Sequence, residues 1–146
     1  MTKILLPIDG SERALKAISY VKTHFKPEEA DITLLMIDKD LLVTQIQPGY
    51  DLTNDYAAAE QRMALLIQQA AGQLEGYRVE RLTDFGDPGA KIVSTAKALG
   101  TDIIVMTKST RKGWQRMIGS VCAYVVKHAP CSIVIVPEDL SEADEA

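Results

Sequence analysis

Between Thr107 and Ser120 the chain carries the residue types that hold an anion. Thr107, Ser109 and Thr110 supply hydroxyls, while Lys108, Arg111 and Lys112 supply positive charge. Gly119-Ser120 then opens an apolar helical pattern through Val121, Tyr124, Val125 and His128. A helix start presents unpaired N–H groups and the positive end of its dipole, so a cationic, small-residue loop that runs into one suits a phosphate group. A solvated basic loop has the same composition, and the local sequence does not choose between them. The second candidate is Asp9, a carboxylate at the end of the apolar run KILLPI. It serves either as a hydrogen-bond acceptor for a ligand or as a helix cap beside Ser11. Gly119 and Ser120 carry the same ambiguity, as a chain reversal and an N-cap.

The elements that must position these residues follow from the apolar patterning. Lys3–Ile8 reads as a strand that stops at Asp9-Gly10-Ser11; Pro7 lacks a donor, so the last residues are expected to leave the ladder or to sit where no partner needs that N–H. Ser11 is the expected N-cap of a helix with Ala14, Leu15, Ile18, Val21 and Phe25 at helical spacing, closed by Pro27. Asp31–Ile37 is a second strand. Residues 39–53 show no period and contain Pro48-Gly49, which predicts a long loop. Thr53 or Asn54 caps a helix to about Leu74, with Ala58, Met63, Leu66, Ile67, Ala70 and Leu74 on its buried side. Tyr77–Phe85 alternates as a strand exposed on one side. After Gly86-Asp87-Pro88 comes a helix that Gly100 stops. A strand from Ile103, the basic loop, a helix from about Gly119 to His128 and the strand Ser132–Val136 complete the chain, before an acidic tail from Glu138 that is expected to be disordered. Regular strand–helix alternation predicts an α/β fold, a parallel sheet with helices on both faces. In such sheets ligands lie beyond the carboxyl ends of the strands, where strand order reverses. Asp9, Ile37-Asp38, Gly86 and Thr107 all fall at those ends, which favours a site over a solvated loop.

Composition narrows the function. With 146 residues the chain holds one core, and its net charge of −4 argues against binding nucleic acid by phosphate neutralisation. No apolar run reaches membrane-spanning length and no signal h-region precedes the first strand, so a cytoplasmic protein is expected. Cys122 and Cys131 form no metal-ligand spacing and are expected to be free thiols.

Taken together, ILLPIDGSE, DITLLMID, Gly86-Asp87-Pro88, TDIIVM, Gly119-Ser120 and KHAPCSIVIVP resemble a single-domain universal stress protein over nearly the whole chain, with residues 1–137 as the domain. The resemblance implies a five-stranded, Rossmann-like fold of the adenine-nucleotide alpha-hydrolase type. It also implies a homodimer paired through the last strand, here Ser132, Ile133, Val134, Ile135 and Val136, an edge suited to strand addition. The nucleotide-binding branch of that family carries Gly, two residues, Gly, eight or nine residues, then Gly-Ser or Gly-Thr. Gly119-Ser120 fits, but Thr107 and Thr110 stand where the upstream glycines would be, with Ser109 available at the longer spacing. Glycine lets a backbone approach phosphate closely or adopt positive φ, which threonine resists. Hydroxyls on Thr107 and Thr110 and charge on Lys108 or Arg111 are the available compensation.

By matching position, Asp9 accepts from ribose or adenine, Pro7, Ile8 and Ile37 form the adenine wall, and Thr107, Lys108, Thr110, Arg111, Gly119, Ser120 and Val121 surround the phosphates. The implied ligand is ATP, with any Mg²⁺ arriving on the nucleotide, although Asp9, Asp38 and Asp87 are carboxylates that could suit a hard cation. His24 and His128 fall late in helices, far from the strand ends, and neither cysteine has an obvious base, so hydrolytic or thiol catalysis is not expected. A receiver domain would need an acceptor Asp after the third strand and a Lys after the fifth, where this chain has Gly86 and Pro137. A flavodoxin would need aromatics around a flavin, and the single Trp114 lies in the basic loop. Two functions remain: an ATP-binding sensor or switch with at most slow hydrolysis, and a non-binding protein that acts through protein–protein contacts.

Overall fold

The structure, a computed structural model, describes residues 1–38, 53–108 and 119–137. Along β1 (Thr2–Ile8), Ile4, Leu6 and Ile8 point to one side of the sheet and Leu5 to the other, and all are buried. Burial of both faces is the signature of a central parallel strand, and β2 (Ala30–Asp38) repeats it with Ile32, Leu34 and Met36 against Leu35. On the first face lie α1 (Arg13–His24) and α2 (Thr53–Gly72), which contribute Ala14, Ala17, Ile18 and Val21, then Met63, Ile67 and Ala70. On the second lie α3 (Pro88–Leu99) and α4 (Ser120–His128), with Ile92, Val93, Ala96, Cys122 and Val125. The remaining strands are β3 (Arg78–Phe85), β4 (Ile103–Thr107) and β5 (Ser132–Val136). All pairings are parallel, in the order β3-β2-β1-β4-β5.

The expected punctuation holds in α3. Asp87 accepts from the Ala90 amide at 2.9 Å as N-cap, Pro88 occupies the first turn, and Gly100 ends the helix at φ 63°. Other expectations need correction. Ser11 does not cap α1: Glu12 holds that position without a side-chain bond. Ala59, not Ala58, is the buried alanine of the first turns of α2, and the helix ends at Gly72, with Leu74 buried in the turn beyond. For Pro7 the second of the two expected alternatives applies: it stays opposite Leu35 in the β1–β2 register, while the β1–β4 register ends earlier, at Leu5↔Ile104. Its missing donor thus falls beyond the β4 ladder. β3 is not one-sided either, because Val79 packs with the α1/α2 layer and Leu82 with the α3/α4 layer. Its exposure comes from lying at the sheet edge. The predicted loop before α2, Ser109, Thr110, Arg111, Lys112, Trp114 and the acidic tail lie outside the described residues.

Candidate functional site

Strand order reverses between β1 and β4, the place where an open parallel sheet opens a crevice at its carboxyl edge. Asp9 follows β1 directly and Thr107 is the last residue of β4. Between the two strands the register covers Ile4↔Ile103 and Leu5↔Ile104, so their carboxyl ends extend beyond the ladder.

Side chains and backbone groups link those ends. Asp9 Oδ1 accepts from the Ser11 amide at 2.9 Å and from the Ser11 hydroxyl at 2.5 Å. Asp9 Oδ2 accepts from Arg13 Nη2 at 3.0 Å. Burial pushes the Asp9 carboxyl up, but the Ser11 hydroxyl, the Ser11 amide and the Arg13 guanidinium together outweigh it and hold it below its ordinary value. The carboxylate is therefore ionised at neutral pH. With three donors on it, a ligand hydroxyl or amine has acceptor capacity left chiefly on Oδ2.

Thr107 Oγ1 donates to the Arg13 carbonyl at 2.9 Å, which ties the end of β4 to the first turn of α1. The Lys108 amide donates to Val136 at 2.9 Å, and the Cys122 thiol lies 3.9 Å from the Thr107 carbonyl. These contacts bring Asp9, Thr107 and the first turn of α4 to one edge. No non-glycine residue among those described adopts positive φ, so Thr107 sits where a glycine was expected without backbone strain. Its hydroxyl, expected to compensate for the glycine at the phosphate, donates inward instead.

Gly119 is the N-cap of α4, at φ −60° and ψ 161°, with no side-chain cap. Its carbonyl accepts the first helical bond, from Ala123 at 2.9 Å. The amides of the first turn, at Ser120, Val121 and Cys122, are the groups that such a start directs at an anion. Ser120 is exposed and Val121 half-buried. The three wall residues do not share a face. Ile37 packs toward α3 and α4, and Pro7 alternates with Ile8 to the same side. Ile8 instead lies in the α1/α2 core, 7% exposed, so its side chain cannot join them in one wall. Thr110 and Arg111 fall outside the described residues.

The three candidate carboxylates stay apart in their partnerships. Asp9 pairs with Arg13, Asp38 with Arg62 at 3.1 Å, and Asp87 caps α3. Among the described residues no group of three or more His, Cys, Asp or Glu side chains could hold a metal ion. His24 meets the Tyr20 carbonyl at 2.8 Å and stacks on its ring, and His128 lies against Tyr124, both at helix ends. Cys122 and Cys131 are free, and burial raises both thiols. For Cys131 the nearby Asp102 adds to that rise. Arg13 is the site residue that sequence reasoning missed. Its spacing of four from Asp9 was the available signal, whereas nothing in the sequence announces its bond to Thr107.

The sheet order and the crevice define a doubly wound, Rossmann-like α/β domain of nucleotide-binding type. The sequence model of the universal stress protein family matches residues 1–137, and the chain belongs to that family. A putative universal stress protein of Staphylococcus haemolyticus is 30% identical over 144 residues, covering 93% of this chain and 87% of that protein. Among solved structures, a universal stress protein in complex with cAMP superposes with a TM-score of 0.72 at 17% identity, covering 92% of this chain and 96% of the other. An Arabidopsis thaliana family protein with AMP bound gives 0.65 at 19% identity, covering 97% and 95%. At these identities the likeness is one of fold.

Proposed function

We propose that this universal stress protein binds an adenine nucleotide, ATP in the first instance, at the crevice between β1 and β4. The observation that carries the reading is the placement of an ionised carboxylate, Asp9, and a helix start without a side-chain cap, Gly119-Ser120, at one edge of the sheet. A nucleotide has the matching chemistry, with sugar hydroxyls for the acid and phosphates for the amides. Relatives of the same fold hold AMP and cAMP, which supports the ligand class. In this reading Asp9 meets the ribose or adenine, Pro7 and Ile37 flank the base, and the α4 amides with Lys108, Thr110 and Arg111 meet the phosphates. Thr107 anchors the end of β4 to α1.

The protein acts as a sensor or switch in the cytoplasm rather than as an enzyme. Of the acids along this edge, Asp9 is held by Ser11 and Arg13 and Asp38 by Arg62, and neither is poised to take a proton from water at a γ-phosphate. Mg²⁺, if required, comes with the nucleotide. A homodimer forms through β5, whose four residues after Ser132 are apolar and half-buried at an open sheet edge. The second reading, a non-binding interaction protein, draws on the inward bond of the Thr107 hydroxyl, which withdraws one donor from the phosphates. Denaturing the purified protein and analysing released small molecules by mass spectrometry, then titrating ATP with Mg²⁺ by calorimetry, decides between them. Co-purified or micromolar ATP supports the first; no nucleotide and no heat supports the second.

A further inference from the structure

We propose that Arg13 is a positioning residue of this site: its guanidinium orients the Asp9 carboxylate while its backbone ties that arrangement to the end of β4. The inference rests on the nucleotide reading only for its affinity arm. Asp9 and Thr107 belong to strands whose shared register ends at Leu5↔Ile104, before either residue. Arg13 touches both, donating to Asp9 Oδ2 at 3.0 Å and accepting from Thr107 Oγ1 at 2.9 Å. One residue therefore sets the spacing between the acid on one side of the crevice and the end of β4 on the other.

An ordinary surface pair four residues apart stabilises a helix only slightly and does nothing else. This pair differs because Asp9 lies before the helix, in the turn after β1. Ser11 fixes Oδ1 and Arg13 fixes Oδ2, so both oxygens are held and the carboxylate plane is set. The guanidinium, always charged and forked, holds an acceptor in one orientation better than an ammonium does. Lys108 at the end of β4 and the Asp38–Arg62 pair at the end of β2 are further charged groups along this edge.

Two measurements on the full chain test the role. The first follows the Asp9 carboxyl carbon by NMR through an acid titration, without nucleotide. Arg13→Gln should raise its midpoint, and Arg13→Lys should restore most of the shift; an unmoved midpoint in Arg13→Gln overturns the proposal. The second titrates ATP with Mg²⁺ by calorimetry. Arg13→Gln should weaken binding about tenfold in the wild-type background and have little further effect when Asp9→Asn is already present, because the two residues act as one unit. Equal losses in both backgrounds contradict positioning through Asp9. If the wild-type chain takes up no ATP, the nucleotide reading fails by itself, and the carboxyl titration still decides the role of Arg13.

Discussion

Thr107 shows how much one hydroxyl decides. In the family pattern its position calls for glycine; here it holds a side chain in ordinary extended backbone, bonded to the Arg13 carbonyl. Thr107→Val keeps the shape and removes the donor, so the half-buried Arg13 carbonyl loses this one bond. Urea denaturation should show a loss of about 1 kcal/mol, and Thr107→Ser should recover most of it. Asp9 makes a prediction of different form. Its folded-state value lies below the ordinary 3.8, so ionisation favours the folded state. That contribution is complete above pH 3.8 and fades as pH falls through the lower folded-state value. The stability advantage of wild type over Asp9→Asn should therefore be constant near neutrality and shrink in acid, as chemical denaturation at stepped pH would reveal. A gap that widens in acid would contradict the assignment. The Asp9–Arg13 pair was readable from its spacing. The Thr107–Arg13 bond joins residues 94 apart and was not.

At the scale of elements, local physics was legible where a single residue dictates backbone geometry. Pro88 and Asp87 start α3, and Gly100 stops it in the left-handed region, as their chemistry requires. Choices set by neighbouring layers were not legible. Ala58 and Ala59 are equally apolar, and only the direction of α2 over the sheet buries the second. The same holds for Ile8, which alternation along β1 sends to the α1/α2 core, away from Ile37. Gly89 marks a close approach of α3 and α4: a Cβ there would lie 2.9 Å from Tyr124 Cδ1 and 3.2 Å from Tyr124 Cβ. The ring, 39% exposed, can turn aside, but its Cβ moves only with the α4 backbone. Gly89→Ala should cost about 1–3 kcal/mol in thermal or urea unfolding, despite the better helix propensity of alanine. A neutral or stabilising result would mean that α4 yields freely.

For the molecule as a whole, the alternation of strands and helices announced a parallel sheet, because each crossover needs a covering helix. The order β3-β2-β1-β4-β5 is a property of long-range pairing that no local pattern encodes. It also creates the candidate site, since the reversal between β1 and β4 parts the ends beside which Asp9 and Thr107 lie. The same order leaves β5 at an edge, and the dimer reading predicts twice the chain mass by sedimentation at micromolar concentration. A monomer there would remove β5 pairing from the account.

The central claim is that phosphate is held at the start of α4. Gly119 has φ −60°, a value open to any residue, so Gly119→Val adds bulk at that start without forcing the backbone into the left-handed region. The decisive measurement is calorimetric titration of ATP with Mg²⁺ into wild type and Gly119→Val, with circular dichroism confirming that both are folded. Saturable binding to wild type and none to the variant is the expected result. Equal binding to both would place the ligand elsewhere and contradict a phosphate site at α4.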